Sequence, residues 1–213
     1  MRSVILLGKG DLAIRIGDWF LDSPEWQLDR VVPVMPEPTW TGSISQWATR
    51  NGVEHVESGD YRDIPGVNID GWSVDLAMSV FYDKLIPESF IRKCDRIINL
   101  HNGPLPRYRG VSPINWALKN GESMHGVTIH EIAPGIDDGP IVAQAWYSIY
   151  PEIDEVRDVY GRSLAFGWTL FEQTIPMLDR IEPRAQDETA ATYYSTGRNA
   201  ELGNRRRFTR AES

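Results

Sequence analysis

The strongest constraint on this chain is the regular alternation of short apolar runs with helically spaced segments over its first hundred residues. Residues 3–7 form a β-rich run closed by Gly8-Lys9-Gly10, and residues 12–21 then place apolar side chains at helical intervals. Residues 28–34 read as a second strand, stopped by the prolines at 33, 36 and 38. Ile44, Trp47 and Ala48 recur at helix spacing behind Ser43, a residue type that caps helix N-termini. Residues 76–80 and 96–100 are further apolar strands. Between them Pro87, whose fixed φ suits a first helical turn, opens a short helix through Phe90 and Ile91. Strand and helix in alternation predict an α/β fold, a Rossmann-like and mostly parallel sheet with helices on both faces.

The rest of the chain is less regular. Residues 101–110 are rich in proline and glycine and predict a loop, followed by a helix over 113–120 with Ser112 as its cap. Residues 126–132 and 141–149 alternate like strands around a turn-forming segment at 133–140, and residues 155–178 carry the longest helical pattern. Residues 182–213 are polar and predict a tail or small β appendage on a catalytic domain spanning 1–181. A net charge of -8 argues against a general nucleic-acid or anionic-membrane surface. The single cysteine, Cys94, leaves no intrachain disulfide and no cysteine cluster for a metal, and reads as a half-buried structural thiol. The apolar run at the start is too short for a signal peptide or a span, so the expected compartment is the cytoplasm.

Gly8-Lys9-Gly10-Asp11-Leu12-Ala13 fits the loose G-x-G-x-x-A form of a dinucleotide turn, which would let backbone N–H groups meet a phosphate. The acidic residue expected at the end of the second strand is missing, because that strand runs into Val34-Met35-Pro36. A dinucleotide-dependent oxidoreductase is therefore a lesser alternative, and a turn that helps to hold a substrate phosphate is the other reading.

The most informative segment runs from Asn99 to Gly110. Asn99 and His101 are two apart at the end of an apolar strand, so both side chains leave the same face. An Asn amide can hold a developing oxyanion, and an imidazole can move a proton near neutral pH. Asp137 and Asp138, in the turn-forming segment, can supply a carboxylate. The three groups suit acyl transfer to an amine, although Asn-x-His also suits loop capping and Asp-Asp-Gly a plain turn. His130 reads as a structural strand residue near the site, His125 as surface and His55 as solvated.

Several of these residues together resemble the folate-dependent formyltransferases, a family that includes glycinamide ribonucleotide transformylase, methionyl-tRNA formyltransferase and the sugar N-formyltransferases. The resemblance is carried by Asn99-x-His101, by the following Pro-Leu-Pro-x-Tyr-Arg-Gly110, by Gly126-Val-Thr-Ile-His130, and by Gly135-x-Asp137-x-Gly139 with Pro140. It implies N10-formyltetrahydrofolate as formyl donor and co-substrate. It also implies Asn99 as the oxyanion-holding residue, His101 as the proton-moving residue and Asp137, rather than Asp138, as the carboxylate that orients the imidazole and assists. Phe81, Tyr82, Asp83, Leu85 and Ile86 resemble the stretch that holds the pterin ring, together with Ala133, Pro134, Gly135 and Ile136.

Within the family, the loop His-Asn-Gly-Pro-Leu-Pro106, the segment Pro113-Ile-Asn-Trp-Ala117 and the tail from Tyr193 to Arg210 look most like the sugar N-formyltransferases. The implied acceptor is the primary amine of a dTDP- or GDP-linked deoxyamino sugar. Lys9, Lys84, Tyr82, Arg107, Tyr108 and Gly110 are the candidates to hold it. Chain length and acidity point away from tRNA, and the Gly8 turn departs from the phosphate turn of the purine enzymes. Another small amine such as glycinamide ribonucleotide is the alternative acceptor, and a non-catalytic folate-binding protein the remaining class. No metal is expected, and a homodimer is a possibility carried by the resemblance alone.

Overall fold

The computed structural model describes residues 1–203. Its elements in chain order are β1 (Arg2–Gly8), α1 (Gly10–Asp22), β2 (Trp26–Pro33), α2 (Ile44–Arg50), β3 (Glu54–His55), β4 (Val74–Val80), α3 (Glu88–Ile91), β5 (Cys94–His101), β6 (Arg109–Gly110), α4 (Pro113–Lys119), β7 (Met124–Glu131), β8 (Ile141–Ser148), α5 (Val156–Thr174) and β9 (Tyr193–Tyr194). The main sheet runs in the order β3-β2-β1-β4-β5-β7-β8. The ladders from β3 through β5 are parallel, as the alternation of strands and helices predicts. The ladders β5–β7 and β7–β8 are antiparallel.

Strand periodicity divides the core between the two faces of this sheet. Val4 and Leu6 of β1 join one cluster with Leu12, Ile16 and Phe20 of α1 and Phe171 of α5. Ile5 and Leu7 point the other way, into a cluster with Tyr61, Ile64 and Phe90. Fully burying each such aliphatic side chain contributes about 1.5–3 kcal/mol. The two-sided burial explains why these strands read as uninterrupted apolar runs.

Strand order reverses between β1 and β4, whose carboxyl ends therefore flank a crevice. Lys9 follows β1, Phe81 follows β4, and β5 ends beside them in His101. Gly8 adopts φ +155 with the Val80 carbonyl oxygen 2.1 Å from where a β-carbon would stand, so no side chain fits there.

Three local expectations are corrected. Pro87 is the residue before the first turn of α3 rather than within it. Ser112 makes no side-chain capping bond, because its backbone is left-handed at φ 56. His125 is fully buried, not on the surface. It packs between the rings of Tyr108 and Tyr147, and its Nε2–H donates to the Asn102 carbonyl at 2.9 Å. By contrast Ser43 does cap α2, accepting from the Gln46 N–H at 3.1 Å. Cys94 is half-buried with its thiol pushed up to about 12 by burial.

Residues 182–203 lie along the body of the protein. Arg184 bridges to Ile141, β9 pairs with β6, and the Tyr194 ring stacks on Trp116 at 4.4 Å and on Tyr108 at 5.6 Å. The rest of the tail pattern, including Arg207-Phe-Thr-Arg210, lies outside the described residues.

Burial lowers the His125 imidazole to about 4. The unfolded chain takes up that proton near pH 6.5, before the folded one does, so this contribution to stability is intact above pH 6.5 and lost as pH falls towards 4. The full effect is about 3 kcal/mol. The thermal midpoint should therefore fall less steeply between about pH 6.5 and 4.5 in His125→Gln, which keeps a donor for Asn102, than in the unaltered protein. Equal slopes would contradict this role.

Candidate active site

The antiparallel pairing of β5 with β7 creates the site, because it sets His130 directly opposite Asn99 and Thr128 opposite His101. Facing residues of such a pair share one side of the sheet. The connection from β7 to β8 then returns Asp137 over the same strand end. Asn99, His101, His130 and Asp137 all line a cavity of about 610 Å³.

The hydrogen bonds of the two imidazoles assign their protons. His101 Nε2 lies 2.8 Å from the Tyr108 carbonyl oxygen, which can only accept, so Nε2 carries a proton. Nδ1 is then the free position of the neutral ring, and it faces Asp137 Oδ2 at 3.5 Å. The bond that orients the ring thus comes from Tyr108, and Asp137 stands beside the unprotonated nitrogen. Gly103 completes the seat: a β-carbon there would come within 2.7 Å of His101 Nε2. In the same way His130 Nδ1 donates to the Glu131 carbonyl at 2.8 Å. Its Nε2 accepts from the Asn99 amide at 3.1 Å, which leaves the second N–H of that amide for another partner.

Electrostatics reinforce this arrangement. Burial pushes the His101 imidazole below its ordinary value, while the Asp137 carboxylate opposes that shift. Burial alone would raise the Asp137 carboxyl, but His101, His130 and the Gly110 N–H, which donates at 2.8 Å, hold it well below the usual carboxylate range. The site therefore presents an ionised carboxylate beside a neutral imidazole.

The backbone around the site is unusual. The non-glycine residues with left-handed φ among those described are Phe81, Tyr108, Ser112 and Asp137. Three of them line the cavity, and the fourth holds His101 through its carbonyl. Such conformations cost about 1 kcal/mol or more each and gather at functional sites.

The cavity brings together most of the residues singled out from sequence. Phe81, Tyr82, Asp83, Lys84, Leu85 and Ile86 line it, as do Ala133, Pro134, Gly135, Ile136, Lys9 and Gly110. Lys84 shares its charge with Asp60 at 3.3 Å. Arg107 and Tyr108 do not line it. The Arg107 guanidinium is paired with Glu122 on the other side of the loop, and Tyr108 is buried with its hydroxyl donating to the same carboxylate at 2.6 Å. Asp138 is exposed and its carboxylate packs against Gly135, away from the imidazoles. The Gly10 turn is covered by Thr41, whose Oγ1 accepts from the Asp11 N–H at 3.1 Å and stands 2.9 Å from where a Gly10 β-carbon would be. No metal-binding group of three or more His, Cys, Asp or Glu side chains occurs among the described residues.

Sequence reasoning undervalued His130 and missed Trp40, Tyr160, Gly103 and Gln186. Trp40 and Tyr160 line the cavity and meet edge to face at 5.5 Å, with Trp40 66% exposed. They are remote in sequence from every motif, so only the fold could bring them to the site.

The chain is 28% identical over 206 residues to methionyl-tRNA formyltransferase of Streptococcus mutans, an alignment that takes in 91% of this chain and 65% of that protein. The chain thus spans about two thirds of that relative's length, just short of it. Among solved structures, WlaRD, a sugar 3N-formyl transferase crystallised with dTDP and 5-N-formyl-THF, superposes with a TM-score of 0.79 at 26% identity, covering 92% of this chain and 70% of that one. The formyltransferase PseJ from Anoxybacillus kamchatkensis, in complex with UDP-4,6-dideoxy-4-formamido-L-AltNAc and tetrahydrofolate, gives 0.66 at 26% identity over 93% of this chain and 88% of that one. A family model described as formyl transferase matches residues 62–175, just over half of the 213, and the chain belongs to that family.

Proposed function

We propose that this protein transfers a formyl group from N10-formyltetrahydrofolate to the primary amine of a nucleotide-linked deoxyamino sugar. The observation that carries the reading is the meeting, in one cavity, of a free amide N–H on Asn99, an open imidazole nitrogen on His101 and an ionised carboxylate on Asp137. These are the three groups that direct acyl transfer to an amine requires.

The cavity suits two ligands. Its volume lies in the ordinary range for small-molecule sites. Segments 81–86 and 132–136 both line the cavity and offer apolar side chains and backbone polar groups, which fits a flat heterocycle. Lys9, Trp40 and Tyr160 add a cation and two aromatic rings to the lining, which fits a phosphate-linked ring system. The folate supplies an activated formyl carbon. As the amine adds to it, Asn99 donates its second amide N–H to the oxygen that turns negative. His101 takes the amine's proton at Nδ1, and Asp137 balances the imidazolium that results. His101 can then return the proton to the leaving nitrogen. The sugar as acceptor is supported by the likeness to WlaRD and PseJ and by the aromatic lining at Trp40 and Tyr160.

Asn99→Ala should lower kcat by roughly a hundredfold or more, as for loss of one oxyanion donor. Asp137→Asn should lower kcat at least as far, while Asp138→Asn should stay within about threefold of the unaltered protein. Release of tetrahydrofolate at saturating substrates measures all three, and the opposite order for the two aspartates would refute the assignment. Incubation with the formyl donor and a panel of amines, including dTDP- and GDP-linked amino sugars and glycinamide ribonucleotide, identifies the acceptor by product mass. Formylation of glycinamide ribonucleotide alone would contradict the sugar reading.

A further inference from the structure

Asp137 is held in a backbone conformation that L residues rarely adopt, φ 51, on a connection with little packing of its own. What holds it there comes from the far end of the chain. The Gln186 amide nitrogen donates to the Asp137 carbonyl at 2.8 Å and to the Gly139 carbonyl at 2.7 Å. Its amide oxygen accepts from Arg109 Nε at 3.1 Å and from Nη2 at 2.8 Å. This orientation is chemically fixed, since a guanidinium can only donate and carbonyl oxygens can only accept. The Arg109 side chain is nearly buried, and it is itself held by both carboxylate oxygens of Glu188 at 3.0 and 2.6 Å. The next residue, Gly110, donates its backbone N–H to Asp137 Oδ2. The Arg109-Gly110 pair therefore grips Asp137 at both ends: the carboxylate directly, and the carbonyl through Gln186. Gln186 does not line the cavity.

We propose that Gln186 is a positioning residue that sets the place of the Asp137 carboxylate against His101 and His130. It acts from the tail and through the backbone of residue 137, without touching either substrate. The proposal rests on Asp137 being the carboxylate of formyl transfer. Without the two amide N–H donors, the carbonyls of residues 137 and 139 lose their partners, the left-handed turn relaxes, and the carboxylate leaves the imidazoles.

Two variants test it in the full-length protein. Gln186→Met keeps the length of the side chain and removes every bond. Gln186→Glu keeps an oxygen for Arg109 and turns the donor to residues 137 and 139 into a charged acceptor. Both should lower kcat tenfold or more, with KM for the amine within about threefold. A second readout needs no substrate. Asp137 favours the protonated form of His101, whose other neighbours are His130, His125 and the Tyr108 carbonyl, so the His101 imidazole should titrate at lower pH in Gln186→Met, followed by NMR on histidine-labelled protein. A purely structural role would lower the thermal midpoint and leave both the titration and kcat in place, and that result would overturn the proposal. If the titration shifts while even the unaltered protein formylates no amine, the positioning stands and the assigned reaction falls.

Discussion

The site depends on one buried negative charge. A carboxylate removed from water is costly unless it has partners, and beside Asp137 stand the Gly110 N–H, which donates to it at 2.8 Å, and the rings of His101 at 3.5 Å and His130 at 3.4 Å, which pair with it when they take up a proton. That charge favours proton uptake at His101 Nδ1 and offsets part of the burial that holds the imidazole below its ordinary value. The same charge accounts for the arrangement of its neighbours, since each imidazole spends one nitrogen on a main-chain carbonyl and keeps the other for the centre of the site.

Holding that charge in position requires backbone strain, and the fold supplies it locally. Left-handed residues occur at Phe81, Ser112 and Asp137 around the cavity and at Tyr108 behind His101. They persist because rigid neighbours fix them. The β5–β7 ladder fixes Asn99 and His130, Thr128 donates to the Gly103 carbonyl at 2.7 Å, and Gln144 donates to the Leu105 carbonyl at 2.8 Å. Local strain on a well-packed sheet is a common design for a site that must be ready before substrate arrives.

The parallel half of the sheet was legible because its strands are buried on both faces and separated by helices. The runs at 3–7, 28–34, 76–80 and 96–100 show as apolar strands with helical intervals between them, whereas β3, only Glu54 and His55, carries no such signal. The antiparallel half shows alternation in sequence but not direction, since nothing in residues 126–132 tells which neighbour they pair with or how. His125 illustrates the same limit: flanked by Met124 and Gly126 it reads as solvent-facing, and only the pairing with β8 and the rings of Tyr108 and Tyr147 bury it. The residues proposed to react were legible because they sit in dense local motifs. Gln186, Trp40 and Tyr160 were not, because their partners are distant in the chain and their surroundings in sequence are ordinary.

The ionisation of Asp137 can be measured directly by carbon NMR on protein labelled at aspartate carboxyl groups, with Asp137→Asn to assign the signal. At about pH 4, where an ordinary aspartate is close to half protonated, the residue 137 carboxyl should still show the shift of the ionised form. A midpoint in the ordinary aspartate range or above it would mean that the two imidazoles and the Gly110 N–H do not hold a charge there, and the account of the site would fail.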